Sequence, residues 1–123
     1  MTRFNIDYDK ESDDLFLYSE DISKGSIEIG DLILDFDIKG KLTAIELLNA
    51  TNFLKDSIAN GEEKLITKEF LFTLVSADVE TKHQNNFLFI KITLTGKKDV
   101  ISCPINAPLI EETSPALVYA YEE

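Results

Sequence analysis

The sequence predicts an α+β fold, mostly antiparallel β-hairpins with one helix, at about residues 50–59, packed on the sheet. Three observations carry this prediction. Apolar side chains recur at every second position through most of the chain, the period of a strand with one buried face. Short polar segments, several holding Gly or Asn, separate these stretches as turns do. One central segment instead places apolar residues four apart, the spacing of a helix stripe. With 123 residues, 44% apolar and 28% charged, the chain suits a single domain over residues 1–123. Residues 1–60 read as a ββββα half, and residues 61–123 as an additional β-hairpin, strand and tail.

The elements follow in order. Phe4 to Tyr8 reads as a strand with Phe4, Ile6 and Tyr8 on one face. The polar run Asp9 to Asp13 is a turn, and Leu15 to Tyr18 the returning strand. Glu20 to Gly25 is a loop. Ser26 to Asp37 reads as one extended segment whose parity shifts at Gly30-Asp31, as a β-bulge would make it do. Ile38-Lys39-Gly40 is a tight connection, and Lys41 to Leu48 the strand that follows.

Asn49 is expected to cap the helix with its side-chain oxygen, and Leu54 and Ile58 to form the buried stripe beside Phe53. Gly61 ends it. Lys68 to Val79 reads as a long extended run, Lys82 to Asn86 as a polar turn, and Phe87 to Thr95 as a strand with Leu88, Ile90, Ile92 and Leu94 in register. Val100 to Cys103 is a last core strand. Pro104, Pro108 and Pro115 are expected to break regular structure. Leu117, Tyr119 and Tyr121 then alternate in a tail that suits a short edge strand or a docked arm, lying on its own domain or on a second subunit.

Charge limits the partners. Twelve basic and 23 acidic residues give a net charge of −11. Such a field repels phosphate backbones, which argues against nucleic acid and for a basic protein or a cation. A lone cysteine, Cys103, excludes an intrachain disulfide and fits a reducing cytoplasm. No apolar run reaches the ~18 residues of a membrane span, and the N-terminus lacks the apolar core of a signal peptide.

Two segments together resemble a known family. The run Tyr8-Asp9-Lys10-Glu11-Ser12-Asp13-Asp14-Leu15-Phe16-Leu17 looks like its opening: Tyr-Asp, acidic residues, then an apolar strand. Asp35-Phe36-Asp37, the turn at Gly40, and Ile45-Glu46-Leu47-Leu48 look like its second hallmark, followed by Ala50 and Thr51 before a helix. The family is the small domain of unknown function numbered 2283. The resemblance covers about Ile6 to Leu54. Ala44 stands where the family usually has Gly, and the segment after Gly61 has no counterpart in short members. The resemblance brings no activity with it. It implies at most an antitoxin-like partner protein, since some members are said to sit beside small toxin-like genes.

Candidate chemistry is sparse. Asp7-x-Asp9-x-Glu11 begins like a calcium loop, but Ser12 and Tyr18 stand where that loop needs Gly and Glu. Asp35 and Asp37 form a second Asp-x-Asp. If the two hairpins lie side by side, Asp7, Asp9, Asp35 and Asp37 converge, and a divalent cation would relieve their repulsion; Glu46 would join if it faces the same way. The competing reading has these residues flank turns and keep a sheet edge soluble. His83 lies in a polar turn without a second histidine to complete a zinc site. Cys103 reads as a core thiol. No nucleophile elbow and no phosphate-cradling glycine loop is present. The expectation is therefore a non-catalytic binding or accessory module, pairing with itself as a dimer or with a basic protein. A metal-dependent enzyme or cation-binding protein using the Asp-rich turns is the alternative, and a purely structural homodimer the second. No organic cofactor is expected.

Overall fold

The computed structural model describes residues 1–58 and 61–108. Eight strands form one antiparallel sheet: β1 (Thr2–Asp9), β2 (Asp14–Tyr18), β3 (Gly25–Ile29), β4 (Leu32–Phe36), β5 (Leu42–Leu47), β6 (Ser76–Gln84), β7 (Phe87–Thr95) and β8 (Val100–Pro108). Their order across the sheet is β3-β4-β5-β2-β1-β6-β7-β8. Two short helices, α1 (Ala50–Ser57) and α2 (Lys68–Phe72), and a 3-10 turn at Glu62–Leu65 connect β5 to β6. The fold is therefore predominantly antiparallel β, with less helix than an even α+β mixture holds.

Alternation decides which face is buried. Leu15 and Leu17 of β2, Leu34 and Phe36 of β4, and Ile45 and Leu47 of β5 are fully closed off from solvent. So are Leu88, Ile92 and Leu94 of β7 and Ile101 and Cys103 of β8. Ile90 of β7 is buried with them, and the residues that alternate with these positions point outward. The helices lie on the buried side, where Leu54 of α1, Leu71 of α2 and the intervening Ile66 complete the core. The sheet also curls. Phe4 of β1, Leu42 of β5 and Val79 of β6 line one cavity of about 40 Å³, although β5 and β6 stand three places apart in the sheet. β1 carries the join between the halves, pairing with β2 on one side and with β6 on the other, where Thr2 stands opposite Val79.

The hairpin of Phe4 to Tyr18, the turn at Gly40 (φ 84°), the helix after Asn49 and the strand Phe87 to Thr95 follow the sequence expectation. Four features differ. Ser26 to Asp37 is not one bulged strand. Gly30, at φ 58°, starts a two-residue turn, and Ile29 pairs with Leu32 across it. A two-residue turn shifts parity along the chain, so it imitates a bulge in sequence. The register irregularity lies instead at Asp35/Phe36, between β4 and β5.

Lys68 to Val79 is not one extended run either. Thr67 accepts a hydrogen bond from the Phe70 amide and opens α2, and extended structure begins only at Ser76. His83 lies in β6 and not in a turn; the turn is Asn85-Asn86. Pro104 and Pro108 do not break β8. They stand opposite Lys91 and Phe87 on a strand that is outermost among the described residues, where an amide facing away from the neighbour is dispensable. Pro115 and the alternating tail lie outside the described residues.

Candidate functional site

The outer face of the first five strands carries the most concentrated chemistry among the described residues. Register places Asp7, Phe16, Glu46, Ile33 and Glu28 in one row across β1, β2, β5, β4 and β3. A second row runs Asn5, Tyr18, Ala44, Asp35, Ser26. Asp9 and Asp14 stand opposite each other where β1 and β2 meet their turn. Asp9 and Asp14, directly opposed, have the spacing of about 5 Å at Cβ that such a pair takes, whereas Asp7, Glu46 and Glu28 alternate with Phe16 and Ile33 and stand two strands, about 10 Å, apart. Lys and Arg are absent from β2, β3, β4 and β5, and the one cation of β1, Arg3, is engaged by Asp78 at 2.7 Å.

The centre of this face is an open depression of about 250 Å³ lined by Asp7, Asp9, Asp14, Phe16 and Glu46. Phe16 and Tyr18 stack along β2 with ring centroids 5.0 Å apart, leaving an apolar floor between acidic neighbours. Burial pushes the Glu46 carboxyl above its ordinary range, and the charges of Asp14, Asp35 and Glu28 push it the same way. Burial also raises Asp35. Glu46 and Asp35 thus carry their charge at a cost of desolvation, to which neighbouring charge adds at Glu46, and a cation beside them offsets that cost.

A second acidic feature is structural. Asp13 sits in the β1–β2 turn at φ 59° and is almost completely buried. Its carboxylate accepts from the Tyr8 hydroxyl at 2.6 Å, the Thr51 hydroxyl at 2.7 Å and the Thr51 amide at 3.2 Å. Its backbone carbonyl accepts from the Ala50 amide at 2.8 Å. Burial alone would raise this carboxyl; the hydrogen bonds from Tyr8 and Thr51, with the charge of Lys68, outweigh burial and hold it below the ordinary value. Asp13 thus caps α1 from another element. Asn49 does not: it is left-handed, at φ 53°, and makes no side-chain cap bond.

The four aspartates singled out in the sequence are not gathered. Asp7 and Asp9 border the depression, and Asp9 also accepts from the Glu11 and Ser12 amides of its own turn. Asp35 shares the outer face but lies in the second row, two strands from β2. Asp37 is in the β4–β5 turn, where it accepts from the Lys39 and Lys41 amides. Among the described residues no three His, Cys, Asp or Glu side chains come together in a group that could hold a metal ion. Glu46 does join Asp7 and Asp9. Asp14 and Phe16 were not legible as site residues, because only the register of β1, β2 and β5 brings them there. His83 is exposed. Cys103 is buried in the core; burial pushes its thiol up to about 12, with the charge of Glu62 adding to the effect.

Residues 5–50 match the model of DUF2283, a protein family of unknown function. An uncharacterised protein of Methanocaldococcus jannaschii, MJ0789, is 42% identical over 50 residues. That alignment covers 40% of this chain and 43% of the relative, so the chain spans less than half the length of the protein it matches. No solved structure matches. The matched segment contains β1 from Asn5 onward, β2 to β5 and the first residue of α1, and hence Asp13 and every carboxylate of the acidic face. The remainder of α1, with α2 and β6 to β8, lies beyond it. Among the described residues no helix is long and apolar enough to cross a membrane.

Proposed function

We propose that this protein is a non-catalytic binding module whose outer sheet face takes a lysine- or arginine-rich segment of a partner protein. The observation that carries the reading is the row Asp7, Phe16, Glu46, Ile33, Glu28 across β1 to β5, where β2 to β5 hold no Lys or Arg and the one cation of β1, Arg3, is paired with Asp78. A guanidinium has two uses for this surface. Its edge pairs with a carboxylate, and its plane stacks on an aromatic face such as Phe16 or Tyr18. An antitoxin-like pairing is the specific form this takes if the basic partner is a toxin. A cytoplasmic setting belongs to the same proposal and is supported by the lone, buried Cys103. Self-association as a dimer is the alternative use of the sheet edges that are unpaired among the described residues.

The test is a titration of the ¹⁵N-labelled full chain with capped tetra-arginine and with capped tetraglutamate. The expected result is shifts confined to the outer-face residues of β1 to β5, from Asp7, Asp14, Phe16 and Glu46 across to Glu28, with the first peptide only, weakening as salt is raised. The Glu46→Gln, Asp7→Asn double variant should weaken binding at least about fivefold, as expected for lost charge pairs of roughly 1 kcal/mol in total. Absence of shifts at low salt, or shifts scattered over the surface, overturns the reading. Parallel titrations with Ca²⁺ and Mg²⁺ examine the cation alternative; a concentration-dependent rise in melting temperature that Glu46→Gln abolishes would favour it.

A further inference from the structure

We propose that the basic partner segment is taken up as an added β-strand along β3, an inference that rests on the acidic-face reading and specifies how that face is used. The two edges of the sheet are not equivalent. β8 carries Pro104 and Pro108, which remove amide donors from that edge. β3, Gly25-Ser26-Ile27-Glu28-Ile29, holds no proline, lysine or arginine. Its five pairs with β4 run in unbroken register. Among the described residues no strand pairs with its other side. Natural sheets usually blunt such an edge with proline, lysine or a bulge. Alternate residues of β3 turn both N–H and C=O away from β4, so an extended chain finds its backbone partners ready made.

Side-chain parity defines the occupant. Glu28 and Ser26 point to the outer face, with Asp35 of β4 and Glu46 of β5 beyond them. An added strand lies about 4.8 Å from β3. Its outward Lys or Arg side chains therefore reach Glu28 directly and extend toward Asp35. Its inward side chains meet Ile27 and Ile29 at the rim of the core. The segment is thus an alternation of basic and apolar residues. Charge argues against a second copy in this place, because two chains of net charge −11 would bring their acidic faces edge to edge.

The experiment uses the full chain and a capped seven-residue peptide alternating Arg and Val, in three forms: unmodified, N-methylated at alternate residues along one edge, and N-methylated along the other. The expected outcome is that one methylated form binds like the unmodified peptide. The other loses at least about tenfold, because only one edge of the peptide bonds to β3. The Gly25 to Ile29 amides shift, and Glu28→Lys weakens binding while leaving the melting temperature near that of the parent. Equal binding of all three forms, with shifts at Phe16 and Glu46 alone, overturns strand addition and leaves the acidic face as a docking surface. No binding of any form overturns both. A dimer in sedimentation without peptide, its β3 amides protected from exchange, overturns the proposal by assigning the edge to a second copy.

Discussion

Asp13 combines two unfavourable circumstances, a left-handed backbone and a carboxylate nearly closed off from water, and both are offset by what it joins. Its partners lie five and 38 residues away, so one side chain fixes the β1–β2 turn to the first turn of α1. Asp13→Ala removes the cap of Thr51, orphans the Tyr8 hydroxyl and leaves a Cβ-bearing residue without side-chain bonds at positive φ. It is expected to lower the unfolding free energy by about 3 kcal/mol. Asp13→Asn keeps an acceptor and tolerates that backbone, and should cost about 1 kcal/mol. Urea unfolding measures both, and an alanine variant as stable as the parent would remove Asp13 from this role. Cys103 allows a second expectation at this scale. With a buried thiol raised to about 12, its reaction with an aromatic disulfide reagent at neutral pH should be slow in the folded chain and fast once denaturant unfolds it.

At the scale of elements, legibility followed the strength of local signals. β1, β7 and the helix after Asn49 stand out because a clean period coincides with polar ends, and β2, apolar on both faces, because a polar turn sets it directly after β1. α2 did not. Phe70 to Val75 is a short, nearly continuous apolar run, in which strand and helix cannot be told apart by periodicity. Contacts distant in sequence settle it: Leu71 enters the core, and the Phe70 ring lies over Gly96 in the β7–β8 connection. The same contact gives a test. A Cβ at Gly96 would lie 2.6 Å from Phe70 Cε1. Gly96→Ala should therefore destabilise by about 1–2 kcal/mol by forcing the ring aside. The double variant with Phe70→Leu should recover part of that loss, as a double-mutant cycle will show. The acidic face was half legible for a similar reason. Asp7 and Asp9 are conspicuous as a motif, and Glu46 was legible only as a residue that joins them if it faces the same way. Asp14 and Phe16 become site residues only through pairing partners on β1 and β5.

For the molecule as a whole, four carboxylates divide into two pairs with opposite effects on stability. Glu46 and Asp35 have folded-state pKa values raised above 4.5 and 3.8. Their charged forms cost stability above the folded values, and that cost is relieved as pH falls through them. Asp13 and Asp9 are held below 3.8, Asp9 chiefly by the Ser12 and Glu11 amides. They contribute stability above 3.8 that is lost as pH falls through the lowered values. Net repulsion at −11 adds to the first trend, since protonation brings the chain closer to neutrality. Stability should therefore rise on acidification from neutral pH, pass through a maximum at mildly acidic pH, and fall steeply below 3.8. Urea midpoints between pH 7 and pH 2 measure the profile. Glu46→Gln should flatten the rise without moving the steep fall, while Asp13→Asn should soften the fall and leave the rise. A basic peptide on the outer face should also flatten the rise, because it replaces protons as the source of positive charge. A peptide that leaves the profile unchanged at saturation binds somewhere other than beside Glu46 and Asp35.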